Sequence, residues 1–204
     1  MLLHKVTEQA KALYDYREKV AERFTSQVTA ELEFLNMAGV VIKVRHEKGK
    51  LTVNGMDSVE FLISANKGEE PRPISRIASG GELSRIMLAL KSVIADKDSV
   101  PTMIFDEIDT GVSGKAARKI GIKLREIGKV RQVICVTHLS QIAVMADNHL
   151  LIEKQIAGER TETHVMQLDM DGRIAEIARI MGGDDPSELM LDNARAEIEK
   201  AAEL

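Results

Sequence analysis

The sequence predicts an α/β fold, a mixed sheet flanked by helices and entered through one long N-terminal helix. Three observations carry that prediction. An apolar stripe runs through the first 37 residues with no Gly or Pro to break it. Short β-branched runs separated by turn residues follow from Gly39 onward. Farther on, two short apolar runs, Thr102–Phe105 and Gln132–Val136, are joined by a helical stretch, the pattern of a parallel crossover unit.

The first segment, to about Met37, reads as one helix. Leu3, Val6, Ala10, Leu13, Val20 and Phe24 share a face, with Arg17 at one core position, and Val28, Leu32 and Leu35 continue the stripe after a shift of phase. Such a stripe fits the end of a coiled-coil arm over residues 1–38, with a stutter where it meets a globular body at 39–204. It also suits a single amphipathic helix docked on its own domain. Val40–Val44, Leu51–Val53 and Val59–Ile63 read as antiparallel strands, and Asn66–Pro73, with two prolines, as a loop. A helix is expected from about Gly80 to Ala95, and the crossover helix from Gly114 to Gly128. Leu139–Ala146 reads as helical, His149–Ile156 with Thr161–Leu168 as a hairpin, and Arg173–Met181 as a helix. The last helix is expected to start with Asp185 as N-cap, Pro186 as first helical residue and Glu188 completing a capping box.

Composition narrows the function classes. The 204 residues are 44% apolar and 29% charged, which suits a chain able to bury a core. Aromatics are only 3%, without Trp, which argues against reading single strands by stacking bases. A net charge of -4 excludes a wholly basic surface but not a local basic patch. The single Cys135 lies in the apolar run Val133–Val136, so an inert, buried thiol is expected and no internal disulfide is possible, as suits a reducing cytoplasm. No signal-peptide pattern and no membrane-length apolar run is present.

Three motifs carry chemistry. In Ser79-Gly80-Gly81-Glu82, Ser79 and Glu82 fit a capping box, which by itself is an ordinary helix start. Two glycines in a first helical turn cost about 1 kcal/mol each against Ala, and a simple cap needs neither. They make sense where a ligand approaches the bare backbone, and the free N–H groups of a helix N-terminus attract a phosphate, with the Ser79 hydroxyl as a further donor. The apolar strand Thr102–Phe105 ends abruptly in Asp106 and Glu107, at the edge where open α/β sheets bind ligands. For nucleotide hydrolysis Asp106 would hold Mg²⁺, through water, and Glu107 would orient or deprotonate the attacking water. A surface turn with two solvated acids is the plainer reading of the same pair. The neighbouring parallel strand should bring His138 to that edge, within reach of the γ-phosphate or the attacking water, although a histidine after a strand is often only a cap or a solvated residue.

In this order the motifs resemble the C-terminal lobe of an ABC-type P-loop ATPase head of the SMC kind. The resemblance is carried by Ile74–Arg85, Phe105–Gly114 and Val136–Ala143, joined by Glu176–Gly183, and spans roughly Val59 to Gly183. Thr110-Gly111-Val112-Ser113-Gly114 stands where SMC proper has Ala, Leu and Asp, which points to a bacterial double-strand-break repair branch. The resemblance implies that Ser79, Gly80, Gly81 and Glu82 form the signature, which contacts ATP bound on an opposing head. It implies that Asp106 and Glu107 are the Walker B pair, Asp109 and its neighbours the D-loop, and His138 the switch histidine. ATP and Mg²⁺ would then be cofactors, and ATP would join two heads.

No G-x-x-x-x-G-K-[ST] phosphate loop occurs in these 204 residues; around Gly114-Lys115 the first glycine is replaced by Asp109 and the Ser/Thr by Ala116. In the resembled family that loop lies N-terminal to the coiled-coil arms. The chain is therefore expected to be one part of a longer protein, inactive toward ATP until joined by its N-terminal half. Lys115, Lys119 and Lys123 form an i, i+4 row with Arg118, Arg125, Lys129 and Arg131 close by; a solvated helix face is the ordinary reading of such a row, and a DNA surface is the functional one. Expected partners are the N-terminal half, a second head and DNA, in a cytoplasmic, nucleoid-associated setting without membrane contact. The alternative is a non-catalytic module that holds DNA ends or partners and uses the head for assembly only.

Overall fold

The computed structural model describes residues 1–64, 66, 68–76, 80–157 and 160–204. The chain divides into two compact units, Met1–Asp98 and Ser99–Leu204.

The first unit opens with α1, Leu2–Phe34, a single helix as the stripe predicts. Its second half is the docked part, with Val28, Leu32 and Leu35 fully buried, and it lies against the hairpin and helix that follow. Along the first half Leu3, Val6, Leu13 and Val20 remain exposed on the same stripe. The helix stops before Met37 because Asn36 turns left-handed at φ 61°. Met37 N–H then donates to Leu32 O at 2.8 Å and Asn36 N–H to Glu33 O at 3.1 Å, a Schellman closure that satisfies two orphan carbonyls.

β1, Val41–Thr52, pairs antiparallel with β2, Gly55–Ser64, in the register Val41↔Ser64 through Lys48↔Asp57. The sequence divided β1 at its Lys and Gly residues. It is instead one strand, because pairing with β2 holds its exposed polar half in the ribbon past a bulge between Lys48 and Thr52. β3, Arg72–Pro73, adds to the other side of β2, inside the stretch expected to be loop. Proline is tolerated there because the strand is at an edge. α2, Gly80–Ile94, then packs on α1 with Ile86, Leu88 and Ala89 fully buried.

The second unit holds the crossover. β4, Thr102–Phe105, and β5, Gln132–Cys135, pair in parallel from Thr102↔Gln132 to Phe105↔Cys135. α3, Gly114–Gly128, connects them and buries Ala117, Ile120, Leu124 and Ile127, the inward stripe of an amphipathic helix. Gly121 lets α4, Ser140–Ala143, come close: a Cβ there would lie 3.0 Å from Gln141 O. α4 is shorter than the expected Leu139–Ala146. β6, Leu150–Ala157, and β7, Arg160–Gln167, form the expected hairpin. α5, Met170–Gly182, is capped by Asp169, whose carboxylate accepts from Gly172 N–H at 2.8 Å. α6, Glu188–Ala202, packs on α5 through Ile174, Ile177, Ala178, Ala194 and Ile198. Its N-cap is Ser187 rather than Asp185, since the first helical bonds run to Ser187 O from Met190 and Leu191. Among the described residues no helix is long and apolar enough to cross a membrane.

Candidate functional site

Parallel pairing decides what meets at the end of the second unit's sheet. Both strands finish at the same edge, and Val136 N–H continues the ladder by donating to Phe105 O at 3.0 Å. The residues that follow, Asp106-Glu107 on one strand and Thr137-His138 on the other, are therefore neighbours although some 30 positions separate them. The chain turns sharply at Glu107, whose φ of 55° is left-handed. That conformation costs a non-glycine residue about 1 kcal/mol or more. The turn is held by Glu107 N–H donating to Asp106 Oδ1 at 2.9 Å and by Thr110 N–H donating to Glu107 O at 3.1 Å. Both acids are exposed, so the burial cost implied by an apolar strand end does not arise within this chain.

Asp109 behaves differently. Its side chain is 4% exposed, and its Oδ2 gathers the end of the neighbouring strand. The Thr137 hydroxyl donates to that oxygen at 2.7 Å and His138 N–H at 3.0 Å, while His138 Nδ1 lies 3.0 Å away. Leu139 N–H in turn donates to Thr137 Oγ1 at 3.1 Å. The His138 side chain remains 76% exposed. Thr137 carries no motif of its own, and only the strand register would have revealed its part. Nearby, burial first and then the negative charges of Asp109 and Asp106 push the Cys135 thiol up to about 12, so it is inert, as expected, though only partly buried.

Among the described residues no group of three or more His, Cys, Asp or Glu could by itself hold a metal. The exposed Asp106 carboxylate fits Mg²⁺ all the same, because that ion keeps waters and phosphate oxygens and takes only one or two carboxylates.

In the first unit, α2 begins at Gly80, with Gly80 and Glu82 exposed and Gly81 buried; Ser79 lies outside the described residues. One turn on, Arg85 is buried, and burial lowers its pKa against the opposing pull of Glu82. A second cluster explains Arg17, the charged residue in the apolar stripe. Its Nη1 donates to Asp57 Oδ1 at 2.7 Å and to Asn54 O at 3.0 Å. Asp57, with no side-chain exposure, also meets His46 Nε2 at 2.6 Å, and Tyr14 stacks on the His46 ring at 4.1 Å. Burial acts to raise Asp57, but the hydrogen bonds and charges of His46 and Arg17 outweigh it and hold the carboxyl below its ordinary range.

The basic row on α3 is not uniformly exposed. Lys115 faces solvent and Lys119 is half-buried, but Lys123 is 8% exposed with its Nζ on Glu126 Oε2 at 2.6 Å. Arg118 pairs with Glu197, and Arg125 reaches Met145 O at 3.1 Å and Asp147 at 3.3 Å.

No protein-family model matches the chain. It is 43% identical over 201 residues to the DNA repair protein RecN of Treponema pallidum, covering 95% of this chain and 35% of that protein. With RecN of Streptomyces coelicolor it shares 44% over 207 residues, covering 95% and 36%. With RecN of Bacillus subtilis it shares 45% over 152 residues, covering 74% and 26%. The chain thus spans about a third of the length of the first two relatives. Among solved structures, the Smc head domain of Pyrococcus furiosus, with an extended coiled coil and bound to the C-terminal domain of ScpA, aligns at a TM-score of 0.54 and 19% identity. That alignment covers 81% of this chain and 40% of that one. The Smc head domain of Pyrococcus yayanosii, with a coiled coil and joint, aligns at 0.52 and 19%, covering 91% and 29%. The fold is that of an SMC-type head.

Proposed function

We propose, from the premise that this chain is RecN-like in sequence along nearly its whole length and SMC-head-like in fold, that it is the C-terminal part of an ATP-dependent DNA double-strand-break repair protein. It would supply the signature and the Walker B pair to a composite ATP site between two heads. The observation that carries the reading is the shared sheet edge, where Asp106, Glu107 and His138 are presented together by β4 and β5.

Each residue has a separate task. Asp106 would hold Mg²⁺ through water, and the ion would supply positive charge against the phosphates there. Glu107, projecting from its strained turn, would orient the attacking water and take its proton. His138 would act beside it on water or the γ-phosphate. Ser79, Gly80 and Gly81 would offer a hydroxyl and bare N–H groups to the γ-phosphate of ATP held on the opposing head, with Glu82 bracing the helix start and Asp109 shaping the loop between heads. The N-terminal half of the same protein would bring the phosphate loop and cover the outer face of β4 and β5, where Ile104 is 70% exposed and Ile134 and Val136 are about half-exposed. Lys115 and Lys119 would contact DNA without Lys123, which is engaged with Glu126.

The test is ATP turnover by this chain, alone and mixed with its N-terminal half. Activity is expected only in the mixture, and Glu107→Gln should reduce it about a hundredfold or more while leaving ATP bound and the heads joined. A well-folded mixture without turnover refutes the reading. If Glu107→Gln leaves the nucleotide state untouched, the non-catalytic scaffold is favoured instead.

A further inference from the structure

The His138 ring is exposed, yet the backbone that carries it is tied on both sides, and the ties run through a neighbour that belongs to no motif. His138 N–H donates to Asp109 Oδ2 at 3.0 Å, and the next amide, Leu139 N–H, donates to Thr137 Oγ1 at 3.1 Å. The Thr137 hydroxyl gives its own hydrogen to the same Asp109 Oδ2 at 2.7 Å. One hydroxyl thus acts as donor and acceptor at once. The peptide groups before and after the His138 Cα are both held, which sets the direction of its side chain while the ring stays 76% exposed. The far end of the link is anchored. Asp109 is 4% exposed and follows Ile108, which is fully buried, and together they root the loop that bears the exposed Glu107. Val112 N–H closes that loop on Asp109 O at 3.3 Å. A carboxylate so buried needs donors, and the Thr137 hydroxyl makes the shorter of these two bonds.

We propose that Thr137 is a positioning residue for ATP hydrolysis: its hydroxyl, bound to Asp109, fixes where His138 stands relative to Glu107. The role rests on the ATP-site reading above, in which Glu107 and His138 act side by side. The two follow different strands, and the ladder between those strands runs as far as Val136 N–H on Phe105 O. Past that bond both chains leave the ladder, and the link from Asp109 to Thr137 carries the registration on to the reacting groups. Reacting groups tolerate little misplacement, so loss of the hydroxyl should act on turnover more than on ATP binding. Valine has the shape of threonine without its hydroxyl, and serine keeps the hydroxyl without the methyl group.

Two measurements test it. In this chain without nucleotide, amide hydrogen exchange followed by NMR should show Leu139 N–H protected. Thr137→Val should speed its exchange about tenfold relative to Val136 N–H, the scale of one lost hydrogen bond. In the mixture with the N-terminal half, Thr137→Val should lower kcat about tenfold or more and leave the KM for ATP within about twofold. Thr137→Ser should restore kcat to within about threefold of wild type. A purely structural role is separated by the His138→Ala background, where Thr137→Val should lower the residual kcat by less than about twofold. An undiminished loss there, an unchanged kcat in Thr137→Val, or no rescue by serine overturns the proposal. So does a wild-type Leu139 N–H that exchanges as fast as an unstructured amide, a result that needs no variant to fold. A wild-type mixture without turnover is a different result: it refutes the composite site, and the positioning role with it, whatever the exchange rates.

Discussion

Glu107 stands in a backbone conformation that favours glycine, and that single torsion ties stability to the catalytic role proposed for it. Glu107→Gly should relieve the left-handed strain and stabilise the isolated chain by about 0.5–1 kcal/mol in urea unfolding, while abolishing turnover in the reconstituted ATPase. Unchanged or lower stability would show that the turn is held without strain. Asp57 makes the opposite case, a charge kept for architecture. Asp57→Ala strands Arg17 and His46 and should cost about 2 kcal/mol, less than a fully buried pair because Arg17 is 34% exposed. The lowered carboxyl has a signed consequence. Its contribution is complete above the ordinary carboxylate pKa of about 4 and is lost as pH falls through the depressed folded value. The acid limb of stability against pH should therefore flatten in Asp57→Asn, and an unchanged limb would remove Asp57 as its source. At this scale the sequence was readable only where chemistry is local. Asp106, Glu107 and His138 announce themselves beside their strands, but Arg17 looked like a flaw in a stripe because its partner lies 40 positions away.

Element by element, periodicity was legible wherever burial made it. α2, β4, α3, β5 and the β6–β7 hairpin fall within a residue or two of their expected bounds; the first four alternate more and less buried positions, whereas β7 is exposed along its whole length and is set by its pairing with β6. The departures share a cause. β3 exists because β2 offers it an edge, and β1 runs on through exposed polar residues because β2 pairs with it; neither depends on its own apolar pattern. The Asp185-Pro186 start for α6 failed because capping residues crowd that turn and only the carbonyl of Ser187 receives the helix. Close packing of α3 on α4 yields a paired test. At Gly121 a Cβ would stand 2.9 Å from Met145 Cγ and 3.0 Å from Gln141 O, so Gly121→Ala should destabilise by about 1–2 kcal/mol. At Gly128, on the same helix, a Cβ would meet nothing within 4 Å, so Gly128→Ala should be neutral or gain up to about 1 kcal/mol. Equal effects in thermal melts would mean that the interhelical approach is not tight.

For the molecule as a whole, exposed apolar surface is the dominant fact. Ile104, on the outer face of β4, is 70% exposed, so replacing it costs the isolated chain little. Ile104→Lys should leave the thermal midpoint within about 2 °C, yet weaken association with the N-terminal half by about tenfold to a hundredfold, the value of one buried isoleucine. Equal binding by both forms, measured by titration calorimetry, would show that this face is not the joint. In the first unit the bare stripe belongs to α1, and the knot of Tyr14, Arg17, His46 and Asp57 grips that helix near its middle. Mechanically the knot is a fulcrum. From Arg17 to Leu2 the helix extends about 22 Å at 1.5 Å per residue, so a tilt of about 10° at the grip sweeps its far end through about 4 Å. A displacement too small to rearrange the packing of the body is thus magnified into one large enough to change what the end of the helix can touch.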